Sequence, residues 1–235
     1  MSDYDSWAPD YDEWAAPLNV DIPFYVELAR EAGEPIVELG VGTGRVAIAI
    51  ARETGKRVVG IDPSREMLAV GRQRAGDLPV DFREGDFRDF TVEEPVELVI
   101  CPARALMHAP TWRDKRRVFE AAARALAPGG RFAWNAFVFS PFFAAQNHGV
   151  RHTRDDGRWE IARQVPADNR IDLTRGRDDR EDATVHLWWA TKSEWDGLID
   201  VAALELEALY DGFDRRPFDT EADEPQEFVY VARKP

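Results

Sequence analysis

Apolar and polar positions follow two alternating patterns along roughly the first 140 residues. Short, nearly continuous apolar runs at residues 35–39, 57–61, 80–83, 97–100 and 132–138 predict buried strands. Between them, apolar residues recur at three- and four-residue intervals, which predicts helices at residues 21–32, 45–52, 65–74 and 112–126. This alternation predicts an α/β fold in which helices cover both faces of a parallel sheet.

The pattern changes beyond residue 140. Segments 158–165, 170–176 and 184–190 alternate in polarity, and turn signals such as Asp156-Gly157 lie between them, so an antiparallel insertion is expected. Thr191 and Glu194 have the spacing of a capping box that opens a helix ending near residue 201. Segments 205–210 and 227–231 then predict two closing strands, which bring the main sheet to seven.

Composition narrows the class of protein. The 235 residues are 44% hydrophobic, which is enough for a full core, and no window approaches the roughly 20 apolar residues of a membrane span. The net charge of −14 would repel a phosphate backbone, so nucleic acid is an improbable partner. The acidic N-terminus lacks the regions of a signal peptide, and the single cysteine, Cys101, excludes an intrachain disulfide. We therefore expect a cytoplasmic protein with neither nucleic-acid nor membrane partners.

The turn after the first strand carries the strongest chemical signal. Gly40, Gly42 and Gly44 alternate with other residues directly after Glu38, and glycine lets a backbone turn sharply and approach a ligand. A dinucleotide site would place its third glycine at the position of Arg45. Glu38 would also repel a pyrophosphate, whereas a carboxylate suits an ammonium group. The turn therefore indicates a small cationic ligand rather than a dinucleotide.

The pattern E-x-G-x-G-x-G resembles the first motif of the class I methyltransferases that use S-adenosylmethionine (SAM). The resemblance covers most of residues 34–139 and implies a Rossmann-like, seven-stranded and mostly parallel sheet with an antiparallel insertion before the last helix. It implies one structural domain in four parts: an N-terminal lid and first helix (1–33), the SAM-binding core (34–139), the insertion (140–190), and the last helix with a closing hairpin (191–235). The insertion could bind the acceptor or join two copies in a homodimer.

Several residues are expected to bind SAM. Asp62 ends the second strand, where a carboxylate can accept hydrogen bonds from a ribose diol, a signal that NAD would share. The resemblance places Glu38 near the amino group of the cofactor and Asp86 near the adenine amine. Met67 could cover the adenine, although a helical methionine is more often core. The expected set comprises Tyr11, Glu38, Gly40, Gly42, Gly44, Asp62, Met67, Asp86, Phe87 and Cys101, with no metal.

Other residues are expected around the methyl acceptor. The run Tyr11-Asp12-Glu13-Trp14 resembles the lid entry of small-molecule methyltransferases and implies a catalytic role for Tyr11. His108 could take a proton from the acceptor or make only a structural hydrogen bond. Arg104 could bind an anionic acceptor or pair with a surface acid. The expected acceptor-binding residues are Trp14, Arg104, His108, Asn135 and Trp188; by strand alternation, Trp189 would then face away from the pocket.

The expected reaction is in-line transfer of the methyl group of SAM to a nitrogen or oxygen of a small molecule. Three alternatives remain open at this point. They are methylation of protein side chains, a SAM-binding module without catalysis, and a nicotinamide dehydrogenase.

Overall fold

The computed structural model describes residues 4–222 and 227–235. In these ranges the strands are β1 (Ile36–Leu39), β2 (Val58–Asp62), β3 (Val80–Glu84), β4 (Val96–Cys101), β5 (Leu126–Phe137), β6 (Arg151–Thr153), β7 (Arg158–Val165), β8 (Arg170–Arg177), β9 (Arg180–Trp188), β10 (Glu205–Tyr210) and β11 (Glu227–Arg233). The helices are α1 (Tyr11–Ala15), α2 (Ile22–Glu31), α3 (Arg45–Thr54), α4 (Arg65–Ala75), α5 (Trp112–Ala125), α6 (Pro141–Asn147) and α7 (Lys192–Val201). Short 3₁₀ turns flank α1 at Asp5–Asp10 and Ala16–Asp21, and another spans Ala105–His108.

The main sheet has seven strands in the order β10-β11-β5-β4-β1-β2-β3. Strands β1 to β5 are parallel, and β11 pairs antiparallel with both β5 and β10. The predicted α/β fold with a mostly parallel sheet is therefore confirmed. Strand β1 lies between β4 and β2, so the chain order reverses there, and ligands bind beyond the carboxyl ends of the strands at such a reversal.

Helices cover both faces of this sheet, as the sequence predicts. On one face, α2 and α3 pack with Leu68 of α4 in a core that includes Ile50 and Phe24. On the other face, α5 and α7 contribute Phe119 and Trp195 to a second core. Strands β1 and β2 are buried along their whole length, which explains their continuous apolar runs.

A second, four-stranded antiparallel sheet, β6-β7-β8-β9, forms the predicted insertion. Its first strand, β6, and the helix α6 were not predicted, since three exposed residues and a seven-residue helix are too short to show a period. Strand β9 begins at Arg180, whereas the sequence predicted a start at 184. The first residues of the strand are polar on both faces, so they show no alternation of polarity. The capping box is confirmed: Thr191 and Glu194 bond each other's backbone at the start of α7.

The start of β5 also differs from the prediction. Pairing with β4 begins at Leu126, directly after α5, but the register shifts between Val96–Leu126 and Leu98–Arg131. The residues between, which include Gly129 at φ +80°, form a bulge whose Gly129 N–H donates to the Lys234 carbonyl. The Pro-Gly-Gly run therefore interrupts the pairing within the strand rather than preceding it.

A buried ion pair joins the segment before α2 to the glycine turn. Nη1 and Nη2 of Arg45 donate to the two carboxylate oxygens of Asp21, at 2.5 and 2.7 Å, and the two side chains are 9% and 1% exposed. Arg45 also donates to the carbonyl of Leu18. Arg45, which occupies the position of the third dinucleotide glycine, therefore holds the N-terminal segment against the start of α3.

Replacing Asp21 with alanine should leave the guanidinium charge of Arg45 buried without its carboxylate partner. We expect the free energy of unfolding to fall by about 3 kcal/mol. The matched control is Glu53→Ala, which removes an exposed pair with Arg30 and should change stability by less than about 1 kcal/mol. Urea denaturation measures both variants, and equal losses would contradict the role assigned to the buried pair.

Candidate active site

A cavity of about 510 Å³ lies at the carboxyl ends of the parallel strands, where β1 separates β4 from β2. Seven parts of the chain form its walls: the N-terminal segment, the glycine turn, the ends of β2 and β3, the first turn of α4, the loop after β4, and β9 of the insertion. The lining residues are Tyr4, Tyr11, Gly40, Gly42, Asp62, Pro63, Met67, Asp86, Phe87, Arg88, Ala103, Ala105, His108, Pro110, His186 and Trp188.

The backbone of the glycine turn could not accommodate side chains. Gly40 has φ +73°, and a Cβ there would lie 2.7 Å from the Cβ of Ala105. Gly44 has φ +78°, and its added Cβ would lie 2.7 Å from a ring carbon of Phe82. Gly40 and Gly42 belong to the cavity wall, whereas Gly44 is the residue just before α3 and packs closely against Phe82. The third glycine therefore serves helix packing in the structure.

Two carboxylates lie behind and beside this turn. Asp62 accepts hydrogen bonds from the N–H groups of Gly42 (2.9 Å) and Ser64 (2.8 Å), while its side chain faces the cavity. Burial raises the pKa of Asp62, and these two hydrogen bonds lower it in part. Glu38 is 3% exposed, and no described residue donates to its Oε2. Burial raises the pKa of Glu38 well above its usual value.

These observations fit SAM. A buried acceptor without a donor, next to a glycine turn that holds the backbone open, suits a ligand with an ammonium group or a water bound to it. Asp62 has each carboxylate oxygen fixed by one backbone donor, which leaves a further lone pair on each for a diol. The described residues therefore provide complementary groups for the ammonium group and for the ribose diol of the cofactor.

The expected adenine-binding residues also line the cavity, but one is already engaged. Met67 and Phe87 lie in the wall. The carboxylate of Asp86 accepts from Arg88 Nε (2.9 Å) and Nη2 (2.5 Å) and from its backbone N–H. Burial would raise the pKa of Asp86, yet these bonds hold it below its usual value, so the group remains an ionised acceptor. Sequence reasoning overlooked Arg88, which the Asp-x-Arg spacing could have indicated.

The N-terminal segment covers one side of the cavity with two tyrosines. Tyr11 was expected there, but Tyr4 was not, and its hydroxyl lies 2.9 Å from His108 Nε2. Burial raises the pKa of the Tyr11 hydroxyl, so this group stays protonated as a hydrogen-bond donor. Ser64 donates to Asp5 at 2.5 Å and Thr43 donates to Asp12 at 2.7 Å. These bonds hold the segment against the glycine turn and the start of α4.

Trp14 lies outside the cavity wall. It is 5% exposed and packs with Val185 of β9. The guanidinium groups of Arg154, Arg158 and Arg175 lie 5.3 to 5.6 Å from its ring centroid. Trp14 was expected to bind the acceptor, but in the structure it does not line the cavity. It joins the N-terminal segment to the insertion by packing and cation–π contacts.

Arg104 and Asn135 line a second cavity instead of the first. Arg104 Nε and Nη2 donate to Glu227 at 3.0 and 2.6 Å, and Asn135 donates to the same carboxylate at 2.6 Å. Tyr25 in turn donates to the Asn135 side-chain carbonyl. Of the two alternatives for Arg104, the structure contains the ion pair with an acid.

The remaining residues predicted from the sequence are Cys101 and the neighbouring pair Trp188 and Trp189. Cys101 ends β4 with no exposed surface, and burial raises the pKa of its thiol. It therefore packs in the core next to the cavity rather than in its wall. Trp188 lines the cavity, whereas Trp189 stacks on Phe139 with ring centroids 4.2 Å apart. His186, two residues before Trp188, also lines the cavity and was not singled out from the sequence.

Comparison with known proteins agrees with this geometry. A family profile described as a methyltransferase domain matches residues 36–130. The chain is 26% identical over 220 residues to 27-O-demethylrifamycin SV methyltransferase of Amycolatopsis mediterranei, covering 88% of this chain and 80% of that one. It is 36% identical to the cypemycin N-terminal methyltransferase of a Streptomyces species, but over 98 residues, which are 42% of this chain and 40% of that protein.

Solved structures extend the likeness to the whole chain. The CcbJ methyltransferase of Streptomyces caelestis superimposes with a TM-score of 0.84 at 26% identity, covering 100% of this chain and 98% of the other. SAM-bound CalS10, an amino pentose methyltransferase of Micromonospora echinaspora, has the same fold, with a TM-score of 0.68 at 21% identity over 96% and 92% of the two chains.

Fold, cavity and comparisons together define a class of enzyme. Residues 36–130 match a methyltransferase domain and the whole chain has a methyltransferase fold, so the protein is an enzyme of the methyltransferase type with SAM as its cofactor. No helix in residues 4–222 or 227–235 combines the length and apolar character that crossing a membrane requires.

The narrow space around Gly40 yields a test of the cofactor site. Gly40→Ala should weaken binding of S-adenosylhomocysteine at least tenfold, because the new Cβ must displace Ala105 in the cavity wall. Gly55→Ala is the matched control, since Gly55 has nearly the same φ, +72°, but no atom within 4 Å of an added Cβ. The control should lose about 1 kcal/mol of stability through backbone strain and keep its affinity. Calorimetric titration measures binding, and equal affinities in the two variants would contradict the assignment.

Proposed function

We propose that this methyltransferase transfers the methyl group of SAM to a nitrogen or oxygen atom of a small molecule. One observation carries the proposal. A single cavity has the glycine turn and Asp62 in one wall, and a ring of Tyr4, His108, His186 and Trp188 in the others. Its volume of about 510 Å³ lies within the range of small-molecule sites, roughly 300–1,000 Å³.

The cofactor-binding roles follow from the position of each group. Gly40 and Gly42 offer backbone to the methionine part, Asp62 accepts from the ribose hydroxyls, and Met67 and Phe87 pack against the adenine. Asp86 remains an acceptor for the adenine amine because Arg88 keeps it ionised. Glu38, buried behind Gly40, accepts a hydrogen bond from the ammonium group at Oε2, directly or through water.

The protein has little covalent work in such a transfer. SAM, when bound, supplies a methyl group already activated by a sulfonium. The chain's own residues have to align the acceptor behind that methyl group and exclude water. Tyr4 and Tyr11 are placed to do this from the N-terminal segment, and their electron-rich ring faces favour a nearby positive charge.

The relatives support a small acceptor. The rifamycin relative, which aligns with most of this chain, acts by its name on a small natural product. The cypemycin relative aligns with less than half of either protein, so it bears less on the acceptor of the whole chain. Modification of a protein side chain would require an open groove, but here the N-terminal segment and Trp188 of β9 line the site.

Turnover with a panel of acceptors tests the proposal. Purified protein is incubated with SAM and, in separate arms, with amino sugars, phenols, sugar hydroxyls, small amino acids or an unfolded protein, and S-adenosylhomocysteine is measured. We expect release with at least one small-molecule class and none with the protein substrate. Gly40→Ala serves as the control with weakened cofactor binding and should release less product at a limiting SAM concentration.

Two results would contradict the proposal. Release with the protein substrate alone would identify a protein methyltransferase. Tight SAM binding without release in any arm would favour a module that binds SAM without catalysis.

A further inference from the structure

A histidine and an aspartate of the insertion form a hydrogen-bonded pair beside the cavity. Asp172 on β8 lies directly opposite His186 on β9 in the antiparallel register. His186 Nδ1 is 2.6 Å from Asp172 Oδ1, and Arg170 Nε donates to the same oxygen at 2.7 Å. Burial would raise the pKa of Asp172, but the hydrogen bonds from His186 and Arg170 hold it below its usual value. The carboxylate is therefore ionised at neutral pH.

This pairing fixes where the proton of the neutral imidazole resides. An ionised carboxylate only accepts hydrogen bonds, so His186 Nδ1 must be the donor and carries the proton. The lone pair then lies on Nε2. In residues 4–222 and 227–235, no group forms a hydrogen bond with that nitrogen. His186 therefore offers a proton acceptor at a cavity wall.

The packing of β9 fixes the position of the ring. Val185 and Leu187, on either side of His186, are 1% and 8% exposed and anchor the strand, whereas His186 and Trp188 face the cavity. Strand β9 also contacts the 3₁₀ turn Ala105–His108, which follows β4 at the carboxyl edge of the sheet. The ring is thus held on a strand that is packed on both sides, in the wall of the cavity that the glycine turn also lines.

The other histidine of the cavity is less suited to the same task. His108 Nε2 is already engaged by the Tyr4 hydroxyl at 2.9 Å. From the sequence, His108 could take a proton from the acceptor or make only a structural hydrogen bond, and the structure contains a hydrogen bond with Tyr4. The structure provides the better oriented group on the insertion, where the sequence shows no motif.

We propose that His186, oriented by Asp172, is the general base of the reaction and that the acceptor atom is a hydroxyl oxygen. The inference rests on the proposed function. The hydroxyl proton passes to His186 Nε2 as the oxygen lone pair forms the bond to the methyl carbon. The electrons of the broken sulfur–methyl bond stay on sulfur. The positive charge lost from the sulfonium is thereby regained on the imidazolium, which Asp172 stabilises. A neutral amine would need no such base, so the pair is best explained by a hydroxyl.

The first test reads the proton directly. Nitrogen NMR of histidine-labelled protein bound to S-adenosylhomocysteine, assigned with His186→Gln, should show Nδ1 protonated and Nε2 bare at mildly alkaline pH. Asp172→Ala should abolish that preference. A proton on Nε2 in the wild-type protein would overturn the proposal, whether or not an acceptor has been found.

The second test uses the acceptors that the panel identifies. His186→Gln should lower kcat by about 100- to 1,000-fold while the affinity for S-adenosylhomocysteine stays within threefold. Asp172→Ala should lower kcat by at least tenfold, and added imidazole should restore part of the rate to His186→Ala. His152→Gln is the matched control on the same sheet, because His152 is exposed on β6 and should leave the rate unchanged.

The outcomes separate the inference from the proposed function. An unchanged kcat in His186→Gln, or turnover of amines alone, would overturn the base while leaving a small-molecule methyltransferase. Absence of any turnover in the wild type would instead contradict the proposed function, and the position of the imidazole proton would still decide whether His186 carries the available lone pair.

Discussion

The left-handed backbone of the glycine turn is the constraint on which the rest of the site depends. With Gly40 and Gly42 at positive φ, the Gly42 N–H reaches the carboxylate of Asp62 at the end of the neighbouring strand. The same conformation brings Gly40 against Ala105 in the loop after β4. One turn therefore fixes the ends of three strands relative to each other, and the cavity is the space that remains beyond them.

Charged groups connect the other parts of the chain to that turn. Arg45 forms an ion pair with the buried carboxylate of Asp21, and Thr43 donates a hydrogen bond to Asp12. Two contacts of the N-terminal segment are therefore made with the glycine turn and the start of α3. The insertion reaches the same segment through Trp14 and the surrounding arginines. The N-terminal segment is therefore held between the glycine turn and the insertion.

The two halves of the site have different origins in the chain. The profile match at residues 36–130 spans the glycine turn, Asp62 and Asp86, which are the groups proposed above to bind the cofactor. Tyr4, His186 and Trp188 lie outside that range and complete the cavity from the N-terminal segment and from β9. The proposed acceptor side therefore comes largely from these additions, and the His186–Asp172 pair lies in one of them.

Periodicity, glycine spacing and strand-end carboxylates are local properties of a chain, so they were sufficient to predict the fold class, the order of the main strands and helices, and several residues that line the main cavity, such as Gly40, Asp62 and Asp86. Tertiary structure alone decided the partners of long side chains. It brought Tyr4 to His108 across 104 residues and Arg104 to Glu227 across 123, and it turned Trp14 toward arginines. It also placed Asp172 opposite His186 through strand register. No local pattern encodes such pairs, since register and packing are set by the whole fold.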